Sequence, residues 1–260
     1  MQTKVISLVI VFCLSNHLGL CQMKFNSNPV VAHRGAWKKN QLPENSIAAL
    51  REAIKLKCSG AEFDVRMTAD DSLIINHDPH FHGLDIEKST FEQLSKFTLS
   101  NGETLPTLYK YLMSGTQDNP GTQLVIELKP SPGGRGSKLA HAAVAMVKSM
   151  NISSRVLYIS FDLNILTAIL EKAPEADTQY LNGDKTPDQL KAMGIKGLDY
   201  QYPIFKKNPE WIVQAKKNGQ KLNVWTVNAE AELRWFINQG FDAITTNEPE
   251  LLFDILSRKP

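Results

Sequence analysis

Five short motifs in this chain carry side chains able to move protons or hold anions and cations. Val30-Val31-Ala32-His33-Arg34-Gly35 is an apolar strand that delivers an imidazole and a guanidinium to its C-terminal end, where a glycine turns the chain. Arg presents a planar fork of donors that matches phosphate oxygens, and the neighbouring His can transfer a proton near neutral pH. The pair suits phosphate ester chemistry. Pro43-Glu44-Asn45-Ser46 follows eight residues later. Glu62-Phe63-Asp64 sets two carboxylates on one face of a strand and Phe63 on the other. Two acids on one face repel unless a cation neutralises them, and Ala61, Phe63 and Val65 favour an interior position. Val125-Ile126-Glu127-Leu128-Lys129 repeats the pattern, with a glutamate inside an apolar run and a lysine on its face.

Glu62, Asp64 and Glu127 together would make a three-carboxylate site for one hard divalent cation, Mg2+ or Ca2+. No Cys/His cluster has zinc spacing. His77-Asp78 ends another apolar strand, so two histidines stand at strand ends beside charged residues. They are a natural acid and base for in-line displacement at phosphorus. His80 and His82 read as solvated loop residues, His141 as part of an amphipathic helix, and Cys58 as a buried small hydrophobe.

Such side chains need a scaffold that gathers strand ends. Strands are expected over 30–34, 61–66, 72–77, 123–128, 155–160, 177–181, 197–201, 221–227 and 241–245. Between most of them lie helical patterns: a stretch from Ile47 to Leu56 capped by Asn45 or Ser46, then 139–150, 163–173, 187–193, 209–218 and 229–239. Gly194, Gly219 and Gly240 fall just past helices, where a left-handed residue is wanted. Repeated βα units of this number predict a closed parallel (β/α)8 TIM barrel, with an open doubly wound sheet as the alternative.

One connection departs from that plan. Only Met67 to Asp71 separates strands 61–66 and 72–77, too short for a parallel crossover, so residues 61–77 are expected to form a hairpin turning at Asp70-Asp71. If residues 68 and 73 face each other, 64 pairs with 77, and Asp64 meets His77 on one face at roughly 5 Å between Cβ atoms.

The 260 residues are 42% apolar, which suits one domain over 22–260. Formal charge is +2 from 29 basic and 27 acidic residues, interspersed, which argues against a nucleic-acid partner. Residues 1–21 read as a signal peptide: a basic Met1–Lys4, an apolar Val5–Cys13 too short to span a bilayer, and a cut before Gln22. The mature chain, carrying Cys58 alone and no transmembrane segment, would be exported to the periplasm or secreted. A lipoprotein acylated at Cys21 is the alternative.

In this order and spacing, the motifs resemble the glycerophosphodiester phosphodiesterase family. Its pattern of His-Arg-Gly, Pro-Glu-Asn-Thr/Ser, Glu-x-Asp, His-Asp and Glu-x-Lys appears at 33–35, 43–46, 62–64, 77–78 and 127–129. Leu105-Pro106-Thr107-Leu108, Ser160-Phe161, Trp225-Thr226-Val227-Asn228 and Asp242-Ala243-Ile244-Thr245-Thr246 extend the likeness. The resemblance implies a distorted TIM barrel with its site at the C-terminal strand ends. It implies that Glu62, Asp64 and Glu127 bind one divalent cation, that His33 and His77 are the acid and base, and that Arg34 holds the phosphate. Lys129 would add a second cation near the phosphoryl oxygens, and Trp225 would pack against the alcohol unless it only fills the barrel rim. Glu44 would orient Arg34 or His33, the alternative being a carboxylate that favours a helix start.

The implied reaction cleaves a glycerophosphodiester to sn-glycerol 3-phosphate and an alcohol. A phospholipase of the sphingomyelinase D or phosphoinositide kind and a non-catalytic phosphodiester-binding protein are the alternatives; a barrel glycosidase would leave both histidines without work. Two departures stand out. After His77-Asp78 the chain has Pro79-His80-Phe81-His82-Gly83-Leu84-Asp85 instead of Leu-x-Arg-Thr-Thr, and Thr246-Asn247-Glu248-Pro249 replaces Thr-Asp-x-Pro. Neither is expected to touch the metal or acid/base residues, so both bear on specificity.

Overall fold

Strands that read as near-continuous apolar runs are buried on both faces, and that condition is met when helices surround a parallel sheet. The computed structural model describes residues 24–258, so the leader at 1–21, the cut before Gln22 and the lipid alternative at Cys21 lie outside the described residues. The strands are β1 (Val30–Ala32), β2 (Gly60–Met67), β3 (Leu73–Ile75), β4 (His80–Phe81), β5 (Leu84–Asp85), β6 (Gln123–Leu128), β7 (Val156–Ser160), β8 (Asp177–Tyr180), β9 (Gly197–Gln201), β10 (Lys221–Trp225) and β11 (Ala243–Thr246). All nine expected strands are present and form one nine-stranded sheet. Its eight parallel members close into a ring because β1 pairs with both β11 (Val30↔Ile244) and β2 (Val31↔Gly60), which removes the open-sheet alternative. The ninth, β3, lies antiparallel against β2, and β4 and β5 form a small separate hairpin.

Side-chain alternation divides the apolar residues between two compartments. Val31, Val125, Leu157, Ile159 and Leu181 cluster inside the ring, whereas Val30, Ala32, Ala61 and Phe63 face the helices and join the main core. Each of the six expected helices forms, and Ile47–Lys55 is typical: Ala49, Leu50, Ala53 and Ile54 are buried on one face. Ser46 caps it by accepting from the Ala49 N–H. Helices Leu108–Thr116, Tyr202–Lys207 and Pro249–Ser257 were not anticipated.

The hairpin forms, but its register differs from the expectation by one residue. Val65 pairs with Ile75 and Met67 with Leu73, so Asp64 lies opposite Asn76, whose N–H donates to the Asp64 carbonyl at 3.1 Å. The turn is the cause. Thr68 is bonded to Ser72, and Asp71 takes a left-handed φ of 66°, which makes a three-residue loop where four residues were assumed. His77 therefore lies one residue past the pairing.

Candidate active site

All the sequence-singled side chains except those of the leader lie in described residues, and the site candidates collect around the C-terminal ends of β1, β2, β6 and β10, with His77 reaching them from just past β3. A cavity of about 220 Å³ there is lined by His33, Arg34, Glu62, His77, Glu127 and Lys129, with Trp225, Phe161, Leu181 and Asp199 among its other walls.

The His-Arg-Gly turn is shaped by its backbone. Arg34 holds a left-handed φ of 57°, which aims its N–H at Glu62 Oε2, 2.8 Å away. Gly35 follows at φ 81°, and a Cβ there would stand 2.6 Å from the Ala49 carbonyl carbon. Only glycine meets both demands. The Pro-Glu-Asn-Ser motif locks onto the same turn. Asn45 N–H donates to the Arg34 carbonyl at 3.0 Å, and Glu44 Oε2 accepts from Arg34 Nη1 at 2.5 Å. Glu44 thus orients Arg34. The helix-start carboxylate is Glu103, which accepts from the Ile47 and Ala48 N–H groups at 2.9 and 3.1 Å.

Glu62, Asp64 and Glu127 are all buried, and each offers an oxygen within 4.8 Å of the others. Glu62 Oε1 has no partner. Lys129 Nζ lies 2.6 Å from Glu127 Oε1 and 3.2 Å from Asp64 Oδ1, one cation shared between two of the three acids. Three converging carboxylates with under-satisfied oxygens fit a hard divalent cation, which takes oxygen ligands. The triad could hold one such ion.

Electrostatics separate the three acids. Burial, then Asp64 and Glu127, push Glu62 well above the usual carboxylate range. Burial and Asp64 push Glu127 up to about 7. Asp64 is equally buried, but Lys129, His77, Asn45 and Arg34 together hold its carboxyl below the ordinary value. Burial disfavours the Lys129 cation, yet Asp64 and Glu127 outweigh that and raise it.

The two histidines are held alike at one nitrogen and differ in exposure. His33 Nδ1 lies 2.7 Å from Asn247 Oδ1, and an amide oxygen only accepts, so the ring proton is on Nδ1. His33 Nε2 then faces Glu62 Oε2 at 4.0 Å. Burial and the Arg34 charge lower His33 to about 4. His77 Nδ1 is held by Asp78 Oδ1 at 2.8 Å, and its side chain is 38% exposed. The expectation that the Asn247 departure misses the acid/base pair is therefore wrong: Asn247 is the residue that fixes the His33 ring.

Trp225 lines the cavity, with its Nε1–H donating to the Asp199 carbonyl at 2.9 Å and its ring edge-on to Phe161. His82 stacks on Phe97 at 4.7 Å, and burial raises the Cys58 thiol to about 12, so it is inert. His141 faces Glu171 on the helix surface, away from the site.

Three contributors escaped the sequence reading. Asn45 grips Asp64 twice, donating Nδ2–H to Oδ2 at 2.8 Å and accepting the Asp64 N–H at 3.1 Å. Arg66, two residues beyond Asp64 on the same face, donates from Nε and Nη2 to the His77 carbonyl at 2.9 and 2.6 Å. The third, Asp199, is 1% exposed on the cavity wall with Oδ1 unpartnered, and burial followed by Glu127 raises it well above the carboxylate range. The Pro43-Glu44-Asn45-Ser46 motif was a legible signal for the first of these and the period-2 spacing of Glu62, Asp64 and Arg66 for the second; the third had none.

Residues 33–251 match the sequence profile of the Glycerophosphoryl diester phosphodiesterase family. A glycerophosphodiester phosphodiesterase from Caldanaerobacter subterraneus subsp. tengcongensis is 29% identical over 248 residues, which span 88% of this chain and 98% of that one. The crystal structure of a glycerophosphodiester phosphodiesterase from Parabacteroides distasonis aligns with a TM-score of 0.85 at 37% identity, over 90% of this chain and 98% of that one. An Oleispira antarctica phosphodiesterase, solved in complex with the product sn-glycerol-3-phosphate, shares the fold with a TM-score of 0.77 at 24% identity, over 88% and 97% of the two chains. The matched span opens on His33, takes in the carboxylate triad, and closes past Asn247, so the residues gathered at this mouth are those over which the likeness runs: the chain belongs to the glycerophosphoryl diester phosphodiesterase family.

Proposed function

We propose that the protein hydrolyses glycerophosphodiesters to sn-glycerol 3-phosphate and an alcohol, with one divalent cation, Mg2+ or Ca2+, held by Glu62, Asp64 and Glu127. The observation that carries this reading is the convergence of those three buried carboxylates beside His33, Arg34 and Lys129, with His77 on the same cavity. The product bound by the Oleispira relative supports the choice of substrate. When bound, the cation would screen phosphate charge and stabilise the charge-rich transition state.

Arg34 and Lys129 would hold phosphoryl oxygens, Arg34 by its fork and Lys129 as a point charge. One histidine would take a proton from the nucleophile, water or a neighbouring glycerol hydroxyl, as its oxygen bonds to phosphorus. The other would give a proton to the alkoxide as the second P–O bond breaks. Both rings are fixed through Nδ1, which leaves Nε2 for this exchange. Trp225 would pack against the alcohol, with Phe161 edge-on beside it on the same cavity wall. The leader-like residues 1–21 support export, with acylation at Cys21 as the alternative.

His33→Ala and His77→Ala are each expected to lower turnover of glycerophosphocholine by about 10²- to 10⁴-fold. A chelator is expected to abolish turnover by the wild type, with Mg2+ or Ca2+ restoring it. Full activity in either single variant, measured by release of sn-glycerol 3-phosphate, would refute the assignment.

A further inference from the structure

Among the acids that line the 220 Å³ cavity, Asp199 is the one the proposed chemistry leaves without work. It lies in the middle of β9, 1% exposed, and outside the carboxylate cluster, which joins only Glu62, Asp64 and Glu127 among the described residues. Its Oδ1 has no partner. The donors along the same wall are committed elsewhere. Lys129 Nζ is shared by Asp64 and Glu127, the Trp225 indole N–H goes to the Asp199 main-chain carbonyl, and Thr245 Oγ1 donates to Asn223 Oδ1 at 3.2 Å. Asn223 is the Cα partner of Asp199 across β9 and β10, yet its Nδ2 is unpartnered too. A buried carboxyl oxygen without a donor is costly, and nothing the strands supply relieves it.

The register fixes how deep this carboxyl lies. Trp225 pairs with Gln201 and Asn223 with Asp199, so Asp199 stands two residues below Trp225 in the barrel. Ile159 and Leu181 line the same cavity as apolar wall. A short carbon chain suits that wall, and a hydroxyl suits the carboxyl, whose oxygen accepts a hydrogen in either state of protonation. Glycerol is the constant arm of the proposed substrates, whereas the leaving alcohol varies. With phosphate at Arg34 and Lys129, the middle hydroxyl of that arm is the neighbour offered above as a nucleophile, and the terminal hydroxyl is the one farthest from phosphorus. We propose that Asp199 is a specificity-determining residue that accepts a hydrogen bond from the terminal hydroxyl of the glycerol arm. This deepens the function proposed above and rests on it.

Discrimination follows from what is left behind when that hydroxyl is missing. A substrate ending in a methyl group covers Asp199 without giving it a donor, so the carboxyl loses whatever water reached it and gains nothing in return. A site built to hydrogen-bond a hydroxyl rejects the analogue lacking it more strongly than an apolar pocket rejects a missing carbon. The same reasoning separates function from folding. Since Oδ1 makes no hydrogen bond to the protein, replacing the carboxyl by an apolar group of similar size removes a buried polar atom rather than a contact.

The test compares kcat/KM of the metal-loaded full chain for glycerophosphocholine and for the 2-hydroxypropyl ester of phosphocholine, which lacks only the terminal hydroxyl. The readout is the ratio of the two, so a general loss of activity does not enter it. The wild type is expected to favour glycerophosphocholine about 10- to 100-fold, the range of a hydrogen bond to a carboxylate. Asp199→Leu is expected to bring the ratio near one without lowering the melting midpoint, and Asp199→Asn, which keeps an acceptor, to retain most of it. If Asp199→Leu turns over too slowly to measure, its affinities for sn-glycerol 3-phosphate and 2-hydroxypropyl phosphate, by calorimetry, give the same ratio without turnover. A wild type that does not distinguish the two diesters, or a ratio unchanged in Asp199→Leu, overturns the inference while leaving the diesterase reading intact. Failure of the wild type to turn over glycerophosphocholine with either cation overturns the diesterase reading itself.

Discussion

At the N-terminal mouth of the barrel, Lys221 lies 2.7 Å from Asp242 and Lys196 lies 3.2 Å from Asp177, all four partly or well exposed. At the C-terminal mouth, three buried carboxylates converge around Lys129, with Arg34 Nε 3.7 Å from Asp64. The N-terminal mouth encloses the larger space, about 330 Å³ against 220 Å³. Volume therefore does not separate the two ends; the handling of charge does. Below, opposite charges pair off at the surface. Above, like charges are forced together out of water, and burial with mutual repulsion shifts Glu62 and Glu127 upward. Such an arrangement costs stability and persists where a ligand of opposite charge completes it.

The comparison breaks hardest at the carboxylates. Glu62→Gln, Asp64→Asn and Glu127→Gln are each expected to reduce activity by 10²-fold or more, about the loss seen when a transition-state charge partner is removed. In metal-free protein the sign reverses for stability. A carboxyl whose pKa is raised by folding contributes most below its unfolded value and loses that contribution as pH rises through the folded one. For Glu127 this window runs from its ordinary 4.5 to about 7. His33, lowered to about 4, works in the opposite sense below its ordinary 6.5, so the difference between two proteins is the clean measurement. In chelator, the melting midpoint of Glu127→Gln should gain on the wild type as pH rises from 4.5 to 7. Added Mg2+ or Ca2+ should raise the wild-type midpoint and leave the variant behind. A midpoint difference flat with pH would mean that the acids are not strained without a metal.

One step smaller is the shell that aims those acids. Asn45 sits at a left-handed φ of 61°, a conformation that Gly also accepts, so Asn45→Gly removes the clamp on Asp64 without straining the turn. Metal affinity, read from the concentration of cation that half-restores activity, should weaken by about 10- to 100-fold. No change would assign Asn45 to the turn alone.

How much of this was legible follows from what kind of interaction each residue makes. The βα alternation, the Glu-x-Asp face and the two strand-end histidines are local patterns, and the strands and the triad appear where those patterns put them. The hairpin was legible as a hairpin because five residues cannot cross over, but its register turned on whether Asp71 would take a left-handed φ, a property of one backbone angle. Helix Leu108–Thr116 had a readable signal in the Thr107 cap and the buried spacing of Leu108, Tyr111, Leu112 and Gly115. By contrast, Asn247 is 214 positions from His33 and reaches it only because β11 and β1 close the ring. Asp199 reads as one acid in an ordinary strand, and only closure turns it toward the cavity.

The smallest expected effects are at the N-terminal mouth, and they separate the two members of a single pair. Lys221 is 66% exposed and gives Asp242 one ion pair, so Lys221→Ala should cost about 0.2–1 kcal/mol, less at high salt, and leave kcat/KM unchanged. Asp242 does more: its second oxygen accepts the Leu222 N–H at 2.9 Å, at the first turn of chain into β10. Asp242→Ala leaves that backbone donor without its partner and should cost about 1–3 kcal/mol by urea denaturation, again without loss of activity. If either change lowered kcat/KM as the carboxylate variants do, the two mouths would be coupled through the barrel interior. Their contrast would then be one of degree, with the polar column of Asn223 and Thr245, joined at 3.2 Å, as the connecting path.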